Sequence, residues 1–204
     1  MKAVQNIIFD LGGVLLNIDY KATEQAFVQL GIQDFHTLFN QFHANELFSQ
    51  LETGTVAEER FFERLQESSG LQLKREDMLK AWNAMLLDFR DGSIAFLRSI
   101  RNRYGVYLLS NTNELHLQAF QLSFRQQYPE SSLDDLFDAA YYSHRIGLRK
   151  PHKEAFEWVL RQHQLVPEQT LFIDDSLPNI EAAAQLQIQT VHLLPGMTVE
   201  ALGL

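Results

Sequence analysis

Short apolar runs that stop at a polar residue recur along this chain, and they constrain its fold more than any other feature. Val4 to Phe9 is apolar, rich in branched side chains, and ends at Asp10. Val106 to Leu109 ends at Ser110, and Leu171 to Ile173 ends at Asp174-Asp175. Ala139 to Ser143 and Thr190 to Leu194 are two further strand-sized runs. Between them the spacing predicts helices over Ile94 to Tyr104, His152 to His163 and Leu177 to Leu186. Pro151 suits the first turn of the second of these. Continuous apolar runs of this length read as strands buried on both faces, and their alternation with helices implies a mostly parallel sheet. The fold class is therefore α/β, with a Rossmann-like parallel sheet as its core.

One stretch breaks the alternation. From about Tyr20 to Phe89 apolar residues recur at helical spacing, as in Ala26 and Leu30, or Phe61, Phe62 and Leu65, and no convincing strand is visible. Thr55 with Glu58 predicts a capping-box start for the helix carrying Phe61 and Phe62. The reading is an all-helical insertion, residues 17–90, set into a core made of residues 1–16 and 91–204. Phe39, Phe42, Phe48, Phe61 and Phe62 are expected to form its own small core.

Composition narrows the function classes. Acidic residues outnumber basic ones, 26 against 17, for a net charge of −9. Nucleic acid is a poor partner for such a chain, because phosphate backbones are held by clustered Lys and Arg. The chain has no Cys, which excludes a disulfide framework, a thiolate zinc site and a Cys nucleophile. The longest apolar stretches are strand-sized, so no membrane span is expected. Met1 to Phe9 is too short for a secretory leader, and a cytoplasmic protein is the expectation. Among the seven His no paired metal-ligand spacing occurs; His116, His144, His152 and His163 read as exposed or helix-end residues. Oligomeric state has no sequence signature here.

In an open parallel sheet, ligands sit beyond the carboxyl ends of the strands. Asp10, Ser110, Asp174 and Asp175 all fall at that edge, and Lys150 lies in a loop that can reach it. Taken alone, each has a plainer reading. Asp10 could be a turn residue, Ser110-Asn111-Thr112-Asn113 a helix cap, Lys150 a solvated charge, and Asp174-Asp175 a helix start. Together they describe one chemistry. Three crowded carboxylates repel one another and call for a cation, and hard oxygen donors without Cys or His favour Mg²⁺. An Asp carboxylate can then attack phosphorus and form an aspartyl phosphate that water hydrolyses. Ser110 and the amides of Asn111 and Thr112 are candidates to hold phosphate oxygens, and Lys150 to neutralise developing charge.

The same residues resemble a known family. Ile7-Ile8-Phe9-Asp10-Leu11-Gly12-Gly13-Val14, Leu108-Leu109-Ser110-Asn111-Thr112, Lys150-Pro151 and Phe172-Ile173-Asp174-Asp175-Ser176 with Asn179-Ile180 are similar, in order and spacing, to the four motifs of the haloacid dehalogenase superfamily. The resemblance implies a helical cap over the active site, where the insertion lies, and a magnesium-dependent phosphatase acting on a small phosphomonoester. It also implies a metal held by Asp10, the backbone carbonyl of Gly12 and Asp174, with Asp175 acting directly, through water or as outer support. Details such as Gly147-Leu148-Arg149-Lys150-Pro151 are similar to the α-D-glucose-1-phosphate phosphatase branch, which implies a sugar phosphate.

Gly12 departs from the family pattern. Most of these phosphatases carry a second Asp there, which protonates the leaving oxygen. General acid–base help is worth about 10²–10⁴-fold. Two substitutes are open: a cap residue such as His43 or Glu46, or a leaving group good enough to need no acid, such as an anomeric sugar oxygen. A silent binding protein on the same fold is the alternative that Gly12 keeps alive. A dehalogenase would have no use for Asp174-Asp175, and a phosphoacceptor signalling domain would order its motifs differently.

Overall fold

The computed structural model describes residues 3–40, 43–44 and 46–204. In chain order its elements are β1 (Asn6–Phe9), β2 (Leu16–Ile18), α1 (Tyr20–Gln29), α2 (Phe35–Leu38), β3 (Phe39–Asn40), β4 (His43–Ala44), α3 (Glu46–Glu52), α4 (Glu58–Ser69), α5 (Arg75–Asn83) and β5 (Leu86–Phe89). There follow α6 (Asp91–Ile100), β6 (Gly105–Ser110), α7 (Glu114–Gln127), β7 (Ala139–Tyr142), α8 (Ser143–Ile146), α9 (Lys153–Gln162), β8 (Thr170–Asp174), α10 (Leu177–Gln185) and β9 (Gln189–His192).

The five apolar runs form one parallel sheet in the order β7-β6-β1-β8-β9. The chain starts at the centre with β1, builds outward through β6 and β7, then returns to lay β8 and β9 on the other side. That reversal opens a crevice at the carboxyl end of β1, where open α/β sheets bind ligands. Burial on both faces explains the unbroken apolar runs. Ile7 and Phe9 pack with Val106, Leu108, Leu171 and Ile173 against α6 and α7. Ile8, Tyr107, Leu109 and Phe172 turn the other way, against α9 and α10. Each such side chain, once fully buried, contributes roughly 1.5–3 kcal/mol.

A second apolar cluster gathers residues of α1 to α5, joined by Leu115 of α7. Phe27, Phe35, Phe48, Phe61 and Trp82 are fully buried together. Their rings interlock: Phe27 stacks on Phe35 with centroids 4.2 Å apart, and Phe48 meets Trp82 at 5.3 Å. Phe62 is buried with them. Phe42 lies outside the described residues, as do the side chains of Phe39 and His43.

Three expectations from the sequence need correcting. The insertion is not free of strands. β5 pairs antiparallel with β2, Leu16 opposite Phe89 and Ile18 opposite Leu86, and a short β3–β4 pair adds a second ladder. The β2–β5 pair joins the two crossings between core and insertion, and buried Leu16 and Phe89 anchor it to the core. The capping box does not form. Ala57 is the N-cap of α4, while the Thr55 hydroxyl donates to the Gln50 carbonyl at the end of α3. Pro151 is not in the first turn of α9, whose N-cap is His152. Among the described residues no helix is long and apolar enough to cross a membrane.

Candidate active site

Asp10 is the first residue past β1, and its N–H donates to the Ile173 carbonyl of β8 at 2.9 Å. Because β6 and β8 flank β1, Ser110 and Asp174 end their strands on either side of it. Sheet register alone therefore brings three polar residues to one edge. Lys150 arrives from the loop after α8 and is held by its backbone. The Asn111 amide donates to the Lys150 carbonyl at 2.8 Å and its oxygen accepts the Lys150 N–H at 2.9 Å. The ammonium is then aimed inward. It donates to Asp10 Oδ1 at 2.6 Å and to Asp174 Oδ2 at 2.7 Å. Lys150 is only 1% exposed, so this charge is almost wholly out of water.

Asp174 is anchored from the far side. Ser176 N–H donates to its Oδ1 at 2.7 Å, and the Asn179 amide reaches both oxygens at 3.1 and 3.0 Å. Both donors come from the start of α10, which fixes the carboxylate where the strand ends. Asp175 owes its position to a missing side chain. Gly13 has φ +72°, and a Cβ there would stand 2.2 Å from Asp175 Oδ2. No side chain fits in that contact, and the backbone conformation itself favours glycine.

Asp10, Asp174 and Asp175 each offer an oxygen within 4.8 Å of the others. The crowding shows in their ionisation. Burial pushes the Asp10 carboxyl up to about 7, with Asp174 and Asp175 adding to the rise and Lys150 opposing it. Burial and the charge of Asp174 push Asp175 up to about 6. One ammonium is too little positive charge for three crowded carboxylates, two of them buried. An all-oxygen, over-charged cluster of this kind fits a hard divalent cation.

These residues open on a cavity of about 310 Å³. Asp10, Gly12, Ser110, Asn111, Lys150 and Asp175 line it; Asp174 lies behind, fully buried. Two expectations change here. The Thr112 N–H is taken by the Ser143 hydroxyl at 2.9 Å, so it is not available to a phosphate. Glu46 does not face this cavity. It lies on a separate surface groove and accepts from Gln50 at 3.0 Å.

Four residues that sequence reading did not select also line the cavity: Tyr20, Glu52, His116 and Arg149. Burial and the neighbouring carboxylates push the Tyr20 phenol far up, so it is a neutral O–H. His116 stands in the first turn of α7, as its helix-end reading has it, but is buried and not exposed, and it stacks on Trp82 with centroids 4.4 Å apart. Burial holds it down at about 4, so it is neutral at physiological pH. Its Nε2 is 3.1 Å from the Trp82 carbonyl, which can only accept, so Nε2 carries the proton. Asn113 caps α7 by accepting the His116 N–H at 3.1 Å, and also accepts from Trp82 Nε1 at 3.4 Å. His144 is likewise shielded, 3.0 Å from Glu114. Glu52 closes α3 and meets the Arg149 guanidinium at 2.7 Å. Burial drives its carboxyl up, and Arg149 opposes the rise. Asn179, five residues past Asp174, stood in a recognised motif and its position could have signalled its part. Glu52 and Tyr20 carried no such signal.

Residues 4–187 match the family model described as haloacid dehalogenase-like hydrolase. The chain is 32% identical to a D-ribitol-5-phosphate phosphatase of Bacteroides thetaiotaomicron, over 92% of this chain and 90% of that one. Among solved structures it is similar to a HAD family enzyme of the same organism, an aspartate-to-alanine mutant in complex with magnesium and inorganic phosphate. That match has a TM-score of 0.93 at 30% identity and covers 99% of this chain and 100% of the other. A HAD-like family hydrolase from Porphyromonas gingivalis aligns with a TM-score of 0.83 at 31% identity, covering 92% of this chain and 90% of its own.

Proposed function

The chain belongs to the haloacid dehalogenase-like hydrolases, and from that premise we propose that it is a magnesium-dependent phosphatase of small sugar or sugar-alcohol phosphates. The observation that carries the reading is the Lys150 ammonium set between Asp10 and Asp174, at 2.6 and 2.7 Å, in the wall of a cavity of about 310 Å³.

In this reading Asp10 is the nucleophile. Its carboxylate oxygen attacks phosphorus, the bond from phosphorus to the leaving oxygen breaks, that oxygen takes a proton from water and departs as the alcohol, and the phosphoryl group rests on Asp10. Water then attacks the same phosphorus, releasing phosphate and restoring the carboxylate. Ser110 and the backbone N–H of Asn111 hold the phosphate oxygens. Lys150 balances charge on the phosphoryl group and keeps Asp10 oriented, while Asn111 keeps Lys150 in place. Asp10, the Gly12 carbonyl, Asp174 and Asp175 would hold magnesium, Asp175 directly or through water. When bound, magnesium supplies the positive charge that lets an anionic nucleophile approach an anionic ester. Residues 17–90 act as the cap, closing the cavity with Tyr20, Glu52 and Met85.

The relative's substrate bears on the leaving group. Ribitol 5-phosphate carries its phosphate on a primary alkoxyl, not an anomeric oxygen. We therefore extend the substrate class beyond sugar 1-phosphates to primary polyol phosphates. The test is phosphate release from p-nitrophenyl phosphate and a sugar-phosphate panel, with Mg²⁺ or EDTA. Release that needs Mg²⁺ supports the reading; folded, magnesium-binding protein that releases nothing would favour a silent binding role.

A further inference from the structure

Five charged residues line the cavity: Asp10, Lys150, Asp175, Glu52 and Arg149. The first three belong to the phosphoryl-transfer cluster. Glu52 and Arg149 do nothing in that chemistry, yet both are largely shielded, at 12% and 22% side-chain exposure. They come from different bodies, Glu52 from the end of α3 and Arg149 from the loop before Lys150. Arg149 Nη2 and Glu52 Oε2 approach to 2.7 Å. Glu52 Oε2 has no aligned donor among the described residues, and Arg149 Nε has no acceptor.

The position of the pair is fixed by packing. The turn after α3 runs hard against α8: a Cβ on Gly54 would lie 2.3 Å from the His144 carbonyl oxygen. Arg149 Nη1 reaches back to the Ser49 hydroxyl at 3.5 Å. Glu52 is thus presented to the cavity by backbone contact, with little freedom left to lose on binding. A hydroxyl group both donates and accepts. A carboxylate beside a guanidinium offers one acceptor and one donor at adjacent points, which matches neighbouring hydroxyls on a carbon chain.

Resting on the phosphatase reading, we propose that Glu52 and Arg149 read the hydroxyl groups of the leaving alcohol and select polyhydroxylated phosphomonoesters over plain alkyl ones. The guanidinium at 2.7 Å opposes the upward push of burial on the Glu52 carboxyl, and the pair presents acceptor oxygens beside N–H donors. Ile18, Met85, Leu86 and Phe120 supply the apolar part of the wall, against which the carbon chain of such a substrate can lie.

Three substrates separate the roles: p-nitrophenyl phosphate, with a good leaving group and no hydroxyls; butyl phosphate, with a poor leaving group and no hydroxyls; and ribitol 5-phosphate. Wild type, Glu52→Gln and Arg149→Gln are compared on kcat and KM. The proposal expects kcat/KM for ribitol 5-phosphate to fall roughly ten- to a hundredfold in each variant, chiefly through KM, as for a lost hydrogen bond to a charged group. The other two substrates stay near wild type, which also shows that the variants fold. If butyl phosphate falls alongside ribitol 5-phosphate while p-nitrophenyl phosphate is spared, Glu52 donates a proton and the proposal is overturned. If all three fall together, the pair is structural and the proposal is equally overturned. Wild-type protein that hydrolyses none of the three overturns the phosphatase reading itself, and this inference with it.

Discussion

Lys150→Met removes a buried charge while keeping side-chain length and much of its volume. In the folded protein the ammonium is 1% exposed and contacts Asp10 and Asp174 at 2.6 and 2.7 Å. Deleting one partner of a buried ion pair costs about 3–5 kcal/mol, because the remaining charge stays out of water. Here two carboxylates are left. A chain of this length loses about 2–4 °C of Tm per kcal/mol, so a drop on the order of 10 °C is expected at pH 7.5 in EDTA. The deficit should then shrink at pH 5. Burial already pushes Asp10 up to about 7 with Lys150 present; without the ammonium it rises further, and a protonated carboxyl needs no counter-charge. Thermal unfolding of wild type and variant at both pH values, in EDTA, measures this directly. A Tm loss below about 2 °C at pH 7.5, or one that is unchanged at pH 5, would refute the reasoning.

Other perturbations follow from the same geometry. Wild-type protein in EDTA should lose Tm as pH rises from 5 to 8, two raised carboxyls outweighing buried His116, which is held down at about 4 and favours the folded state as pH climbs toward 6.5. Asp10 and Asp175 have folded values of about 7 and 6 against 3.8, so the folded state holds protons the unfolded chain has released, and that stabilisation disappears as pH climbs through those values. Mg²⁺ should reverse the trend by binding the ionised cluster; a flat profile with or without metal would contradict it. Gly13→Ala combines a left-handed backbone, worth roughly 1–2 kcal/mol against a side chain, with a 2.2 Å clash on Asp175. It should weaken Mg²⁺ activation well beyond its effect on Tm, and an unchanged Mg²⁺ dependence of phosphate release would count against the role of Asp175. Gly12→Asp places a carboxyl where the family pattern has one, with its Cβ 3.2 Å from Ile18 Cγ1. Butyl phosphate hydrolysis should rise, by up to roughly 10²-fold, with p-nitrophenyl phosphate little changed; no gain in folded protein would mean that the leaving group is already protonated by another residue.

The core of this site was legible because it depends on sheet topology. A buried parallel strand reads as an apolar run, and the first polar residue after it marks the ligand-binding edge, which is how Asp10, Ser110 and Asp174 declare themselves. The cap side is different. Glu52 lies on an amphipathic helix, where an acid usually means a solvated face, and only docking of α3 against α8 turns it inward. His116 is the helix-end residue it reads as, but nothing local announces that Trp82 will cover it. The β2–β5 pair was missed for a related reason. Leu86–Phe89 has the burial of a partly exposed ribbon and too few residues to show a period. Thr55 and Glu58 carry the right spacing for a capping box, but the turn at Gly54 commits the Thr55 hydroxyl to α3 instead.

The central claim is that Asp10 carries the phosphoryl group during turnover. The most direct test is to mix enzyme, Mg²⁺ and substrate, quench in acid within a single turnover, and map the modified peptide by mass spectrometry. The account predicts an acid-stable, hydroxylamine-labile phosphate on the peptide that contains Asp10, and none in Asp10→Asn. Phosphate release that proceeds at full rate in Asp10→Asn, or a covalent phosphate found on another residue, would contradict it.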